Sequence, residues 1–379
     1  MQLQRARFPL VLSFAALFGV TLVLPAQQGG GDKKPEQKKE KKKARPNPVY
    51  TDRDDPKLPA DFKYQGEWVG NVNGAEIGCQ IIALGDGYLQ AVLLPGGLPG
   101  RGWDGKNKSL MDGKIEGDKA TFRPATGKRK YMANEPLEFS ATAKFPPIGQ
   151  KSYSAVIAGD KMSLKGEDGQ ACELHMIMRK SPTLGMKPPS GAVVLFDGSS
   201  ASEWNRGRVD TKNGILNTDG GDIVTKRRFN NYTAHVEFML PYRPYAREQG
   251  RANSGFYQVD MYEVQILDSF GLEGKNNECG GIYSQVAPKI NACLPPLRWQ
   301  TYDVEFTNGS GEGTGKARKM TAKSRLTVRL NGIVIHDNIA IPGPTGGARN
   351  EDEGTPGPLR LQGHGNPLQF RNVWVVEKQ

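Results

Sequence analysis

The sequence predicts an all-β protein, on three observations. Apolar and polar residues alternate with period two through many short runs, as in strands with one buried face. Turn residues separate the runs, with 47 glycines and 26 prolines to punctuate them. Helical periodicity is almost absent. The 379 residues, less a leader and tail, suit two ordinary domains. The expected architecture is a small antiparallel β domain followed by a concanavalin- or laminin-G-like jelly-roll sandwich.

The first element is an export signal. Arg5 and Arg7 precede an apolar run from Leu10 to Leu24, which exits through Leu24-Pro25-Ala26 into polar Gln27 and Gln28. The run falls short of the roughly 20 apolar residues of a membrane span. Ala6 splits the arginine pair that twin-arginine export needs, and no cysteine at the exit can take a lipid. Residues 1–26 therefore read as a cleaved signal peptide. The mature protein is expected to be secreted, or held in the periplasm or cell envelope, with no membrane span.

Residues 27–57 read as a disordered basic linker. Their segment "GDKKPEQKKEKKKARPNP" holds eight basic against three acidic residues and nothing large and apolar to bury. Without that surplus of five, and without Arg5 and Arg7, the formal net charge of +11 falls to +4. The basicity belongs to the tail and signal, so it is no charge footprint for nucleic acid. Electrostatic attraction to anionic envelope surfaces stays open.

Residues 58–180 carry the first β domain, a small barrel or sandwich. Its strand-like runs are "GEWVGNV", "CQIIALGDGYLQAVLL", "KIEGDKATFR", "SYSAVIAGDKMSLKG" and "CELHMIMR", with hairpin turns at Gly85-Asp86-Gly87 and Gly159-Asp160. The glycine-rich "LPGGLPGRGWDGKNK" lacks the Gly-Lys-Ser/Thr ending of a phosphate loop and opens no helix, so it reads as a surface loop. Residues 181–190, rich in Pro, Ser and Gly, form a linker. About a dozen strand-like runs follow in 191–379. The clearest is "LTVRLNGIVIHD", where Asn331-Gly332 can adopt the positive φ angles of a type I′ hairpin.

Four cysteines in an exported chain suggest two disulfides, and chain order favours Cys79 with Cys172 and Cys279 with Cys293. No cysteine spacing suits zinc. No cofactor is implied, and calcium near Asp260, Asp268 or Glu278 has no EF-hand spacing or histidine cluster behind it.

The stretch "YEVQILDS" raises the functional question. Strand alternation puts Glu263 and Gln265 on one face and Tyr262, Val264 and Ile266 on the other. A carboxylate on the open face of a secreted β protein is either one half of a salt bridge or a base in a ligand groove.

Six motifs carry a resemblance. "VVLFDGSSASEWN", "NSGFYQV" with "YEVQILDS", "ECGGIYSQVAP", "RWQTYDVEF", "RLNGIVIHD" and "LRLQGHGNPLQFRNVWV" together resemble the 3-keto-disaccharide hydrolase domain, over about 190–379 and in the family's order. The first β domain more weakly resembles a β domain that precedes this one in large secreted proteins of planctomycete-like bacteria. The resemblance implies cleavage of glycosides whose sugar is oxidised to a ketone at C3, with a carbohydrate substrate and an upstream sugar 3-oxidase as pathway partner. A C3 ketone acidifies the C2 hydrogen. A base can remove it, the C1 aglycone leaves by elimination, and water adds back. That route needs a base near C2, a donor to the enolate oxygen and an acid at the leaving oxygen, unlike the two carboxylates of ordinary glycosidases.

Glu263 is the candidate base, with Asp268 as an alternative base or orienting partner. Strict alternation puts the two on opposite faces, so both enter one site only if the strand bulges or ends before Asp268. His364, flanked by glycines in "LQGHGNP", is the candidate acid, and Arg371 would stabilise the enolate or pair with Glu263. Gln265, Asn253, Tyr257, Tyr283, Gln362 and Trp299 are candidate sugar-binding residues. Each has a plain structural alternative: a Glu263–Arg371 ion pair, turn-capping by His364 or Asn253, aromatics buried in core. His235 and His336 read as ordinary strand histidines. The competing functional reading is a non-catalytic carbohydrate-binding module, in which aromatics and amides line the groove and the charged residues are dispersed.

Overall fold

The computed structural model describes residues 47–350 and 352–378. Their regular structure is strand, with three short 3-10 turns and no α-helix among the described residues. The signal and most of the basic linker lie outside the described residues. Among the described residues no helix is long and apolar enough to cross a membrane. The linker does not remain free to residue 57 as expected. Tyr50 exchanges both backbone hydrogen bonds with Tyr242 and stacks on its ring, because an aromatic so close to the sandwich has surface to bury.

Eight antiparallel strands between Gly66 and Ile177 close into a barrel, sealed where Gly66–Val72 pairs with both Ala75–Gly85 and Ala171–Ile177. Closure leaves no open edge. Trp68, Ile81, Leu93, Phe122 and Leu164 fill its interior. Both anticipated hairpins form, with Gly85, Asp86 and Gly87 all at positive φ at the first. One strand, Ser109–Glu116, begins five residues before the reading from Lys114.

The jelly roll follows as two antiparallel sheets. The large sheet is built on Gln369–Glu377, Tyr232–Met239, Trp299–Thr307, Arg325–Leu330 and Ile333–Ala340, with shorter strands beyond Gln369–Glu377. The small sheet runs Ile223–Val224, Arg360–Leu361, Ser254–Gln258, Tyr262–Ile266. Phe238, Phe256, Val264, Tyr302, Leu361 and Phe370 interdigitate between them. Asn331 and Gly332 sit at φ 53° and 80°, as the type I′ hairpin requires. "GGIYSQ" is not a regular strand; it touches the sheet through isolated bridges such as Val264 to Ile282.

Barrel and sandwich belong to one compact unit, residues 45–379. The segment after Tyr262–Ile266 runs straight into the barrel wall, where Phe270 and Leu272 pack with Ile82, Leu84 and Val92. The 181–190 segment lies along the large sheet rather than spanning free space: Ser181 bonds Thr301, Thr183 bonds Asp303, and the Gly185 amide donates to Glu237. His235 is buried there against Asp303, and His336 against the Gly280 carbonyl.

The expected disulfides are absent, and all four cysteines are free thiols. Cys79 and Cys172 stand on strands on opposite sides of Gly66–Val72. Two strand spacings, roughly 9.5 Å, exceed what a disulfide spans. Cys279 and Cys293 do lie side by side in the core, hydrogen-bonded thiol to thiol but unbridged, the first also against the Tyr302 hydroxyl and the second against the Leu267 and Leu294 carbonyls. An even count in an exported chain does not distinguish a bridge from a thiol packed as a small apolar group.

Candidate functional site

The small sheet presents its polar face outward. On Tyr262–Ile266 the side chains of Tyr262, Val264 and Ile266 enter the core, which leaves Glu263 and Gln265 on the opposite face. The neighbouring strand places Tyr257 opposite Glu263 and Gly255 opposite Gln265. Gly255 is required there: a Cβ on it would lie 2.2 Å from Glu263 Oε1. The next strand aligns Arg360 with Tyr257, and alternation returns Gln362 to the same face. Gly255→Ala should therefore push the Glu263 carboxylate aside and lower turnover by at least about 10-fold in a fold that stays intact, checked by steady-state kinetics beside circular dichroism.

These residues open onto a cavity of about 170 Å³ lined by Asn253, Tyr257, Glu263, Gln265, Tyr283, Gly346, Gly347, Gln362 and His364. Tyr283 is brought in by the 280–283 segment, whose backbone bonds Gln265 and Glu263. The 345–347 loop is pinned by Thr345, whose hydroxyl accepts the Glu263 amide. His364 is exposed beside the other lining residues. Two lining carboxamide oxygens, Asn253 Oδ1 and Gln362 Oε1, are buried with no hydrogen-bond partner. Such atoms are costly unless a ligand or water bonds them.

Glu263 is only 3% exposed. Burial pushes its carboxyl up to about 7, against the lowering effects of the Tyr257 hydroxyl and the Arg360 charge. Tyr257 Oη lies 2.8 Å from Glu263 Oε2 and 2.7 Å from the Gly346 carbonyl oxygen. One phenolic proton cannot serve both. Ionised Glu263 takes it; protonated Glu263 donates to the phenol oxygen, which then turns its proton to Gly346. The carboxyl thus keeps a partner in either state. Burial and the neighbouring carboxylate raise the Tyr257 pKa, so the phenol stays protonated. Arg360 lies under its ring at 3.6 Å and is buried among Asp260, Asp222 and the Gly347 carbonyl.

Three of the residues that the sequence suggests for the site fall elsewhere. Asp268 lies beyond the strand's end, buried in an ion pair with Arg251 at 2.6 Å. Arg371 is on the large sheet, pairs with Glu237 at 2.7 Å and not with Glu263, and lies 4.1 Å over the Trp299 ring. Trp299 is thereby accounted for outside the cavity. Strand alternation places residues on a face but does not say which of two sheets the strand joins. Arg371→Ala should accordingly change kcat/KM by less than about 3-fold while lowering Tm, since it leaves the buried Glu237 short of a partner. Arg360 was missed, although alternation with Gln362 in "LRLQG" marks it. Gln249, which holds both Asn253 and Gln265, gave no sequence signal. Among the described residues no group of three His, Cys, Asp or Glu is arranged to hold a metal ion. Asp260 is ion-paired, Asp268 likewise, and Glu278 accepts the Gly274 and Lys275 amides.

Among solved structures, three proteins from Parabacteroides distasonis described as "putative glycosyl hydrolase" are similar to this chain. One is 32% identical, with a TM-score of 0.45, and the match covers 50% of this chain and 85% of that one. A second is 18% identical, with a TM-score of 0.37, over 50% and 95%. A third is 21% identical, with a TM-score of 0.34, over 49% and 99%. No curated protein matches the chain. Over residues 191–376, the span that forms the two sheets and the cavity, the chain belongs to the 3-keto-alpha-glucoside-1,2-lyase-like domain family.

Proposed function

We propose that the jelly roll cleaves glycosides of a sugar carrying a ketone at C3, by elimination and rehydration. The observation that carries this reading is a buried carboxyl, Glu263, whose pKa is pushed up to about 7 beside a sugar-sized cavity. A base poised there is half ionised at neutral pH and strong enough to take an acidified C–H proton. Glu263 removes the C2 proton, and the C2–H electron pair forms the C2–C3 enolate with charge on the C3 oxygen. That pair then forms the C1–C2 double bond as the C1–O bond breaks, and the departing oxygen takes a proton from His364. Addition of water across the double bond completes net hydrolysis. Tyr257, held protonated, faces the enolate, and the Asn253, Gln265 and Gln362 amides orient the ring. Arg360 supplies positive charge behind them, the part first assigned to Arg371.

Family membership supports a glycoside-cleaving enzyme in general, and a site with one lining carboxyl, rather than two flanking the bond, supports the ketone requirement. A carbohydrate-binding module is the second reading, favoured by the unpartnered amide oxygens and two tyrosines lining the cavity. The deciding experiment offers 3-keto disaccharides and their unoxidised parents. Turnover of the ketones alone is expected; binding of both without turnover establishes the module instead. On the same reading, an oxidase acting at C3 must supply the substrate, and the protein works outside the cytoplasm.

A further inference from the structure

We propose that Gln249 is a positioning residue for the sugar site, and that the barrel holds it in place. This rests on the site assignment above, but not on the identity of the substrate. Gln249 Oε1 accepts from two lining side chains at once, Asn253 Nδ2 at 3.1 Å and Gln265 Nε2 at 3.0 Å. Its own Nε2 donates to the Asn277 carbonyl at 2.8 Å, which fixes which end of the carboxamide faces them. The consequence is polarity. With one hydrogen of each NH₂ group bonded to Gln249, the Asn253 carboxamide is held with its buried, unpartnered Oδ1 available to the cavity. Gln265 Oε1 in turn accepts the Ile266 amide. The cavity therefore presents acceptors, Asn253 Oδ1 and Gln362 Oε1, to hydroxyl donors of a sugar. Without Gln249 the Asn253 amide, whose oxygen has no other partner, could rotate by half a turn and present the opposite sign, whereas Gln265 stays held by the Ile266 amide.

Gln249 sits in the 3-10 turn Glu248–Gly250, and that turn is tied to the barrel on its N-terminal side. Arg247 donates to the Leu84 carbonyl at 2.9 Å and the Ala133 carbonyl at 3.2 Å, while Tyr245 bonds Asp86 at 2.8 Å. On its C-terminal side Arg251 is locked to Asp268. A glycoside site on the second domain is thus set by a turn clamped against the first, which gives the barrel a part in substrate affinity.

The test compares Gln249→Leu with Gln249→Glu, which keeps the accepting oxygen but loses the donor to the Asn277 carbonyl. Crystal structures of both are solved without ligand, and kinetics are measured with 4-nitrophenyl 3-keto-glucoside. Gln249→Leu should turn the Asn253 carboxamide while the strands stay in place, and should raise KM about 10-fold with kcat changed less than about 3-fold. The pH profile should keep its midpoint. Gln249→Glu should recover part of the loss. Arg247→Met should raise KM in the same direction and add little when combined with Gln249→Leu. An unmoved Asn253 carboxamide in Gln249→Leu, or an unchanged KM in that variant, would overturn the proposal. Failure of the substrate reading looks different: the unmutated protein is inert on the probe, and the crystallographic comparison then decides the positioning role.

Discussion

Glu263→Gln is expected to lower turnover of a 3-keto-glucoside by about 100- to 10,000-fold, the usual contribution of a general base. The fold should survive, because the carboxamide fits where the carboxyl stood and still accepts from Tyr257. The unmutated enzyme's kcat/KM should rise with pH through a midpoint near 7, as Glu263 ionises. The same group makes a stability prediction of the opposite sense. Its folded pKa of about 7 exceeds the ordinary 4.5, so the folded state holds a proton that the unfolded chain releases between those values. Stability is therefore unaffected by this group below about pH 4.5, falls as pH rises through the window and levels off above about 7. Glu263→Gln removes that loss: it should leave Tm unchanged near pH 4 and stabilise by roughly 2–4 kcal/mol near pH 8. Thermal unfolding of both proteins across that range measures it. A variant that loses activity and gains stability only at high pH identifies a carboxyl kept buried for chemistry; full activity would remove Glu263 from the mechanism.

Asp268→Ala should destabilise the protein by about 3–5 kcal/mol and lower Tm by about 5–15 °C. Asp268 and Arg251 are each about 1% exposed, and Arg251 Nη1 already has no hydrogen-bond partner. Removing the carboxylate leaves a guanidinium in the core with no counter-charge. Asp268→Asn, which keeps an acceptor, should cost less. At temperatures where either variant is folded, the pH midpoint near 7 should persist. Were Asp268 the base, the order would reverse: Asp268→Asn would abolish turnover at nearly unchanged Tm. Calorimetry with a kinetic pH profile on each variant separates the two.

How far the site was legible shows in individual residues. Glu263 and Gln265 share a face with each other because strand side chains alternate, and Tyr262, Val264 and Ile266 enter the core for the same reason. His364 and Gln362 line that cavity from a loop beyond the next strand. Arg371 follows the same alternation and still lies on the other sheet, with Glu237 as partner. Asp268, six residues past Tyr262, is where the strand has ended and the chain turns into the barrel. Gln249 and Arg251 come from a turn whose sequence carries no periodicity, and both act through contacts with residues well away in the chain.

Periods, turn dipeptides and family motifs are local properties of the chain, and they were enough to determine an all-β protein, its Asn331-Gly332 hairpin, the jelly-roll family and the face on which Glu263 stands. Tertiary structure alone decided that the first domain closes into a barrel, that none of the four cysteines is bridged, that Arg360 rather than Arg371 stands behind the carboxyl, and that a barrel-held turn bonds the amides lining the cavity. Those outcomes depend on which strands become neighbours across the sheets, and on how strongly burial raises the energy of a charge. Neither quantity exists until distant segments have packed together.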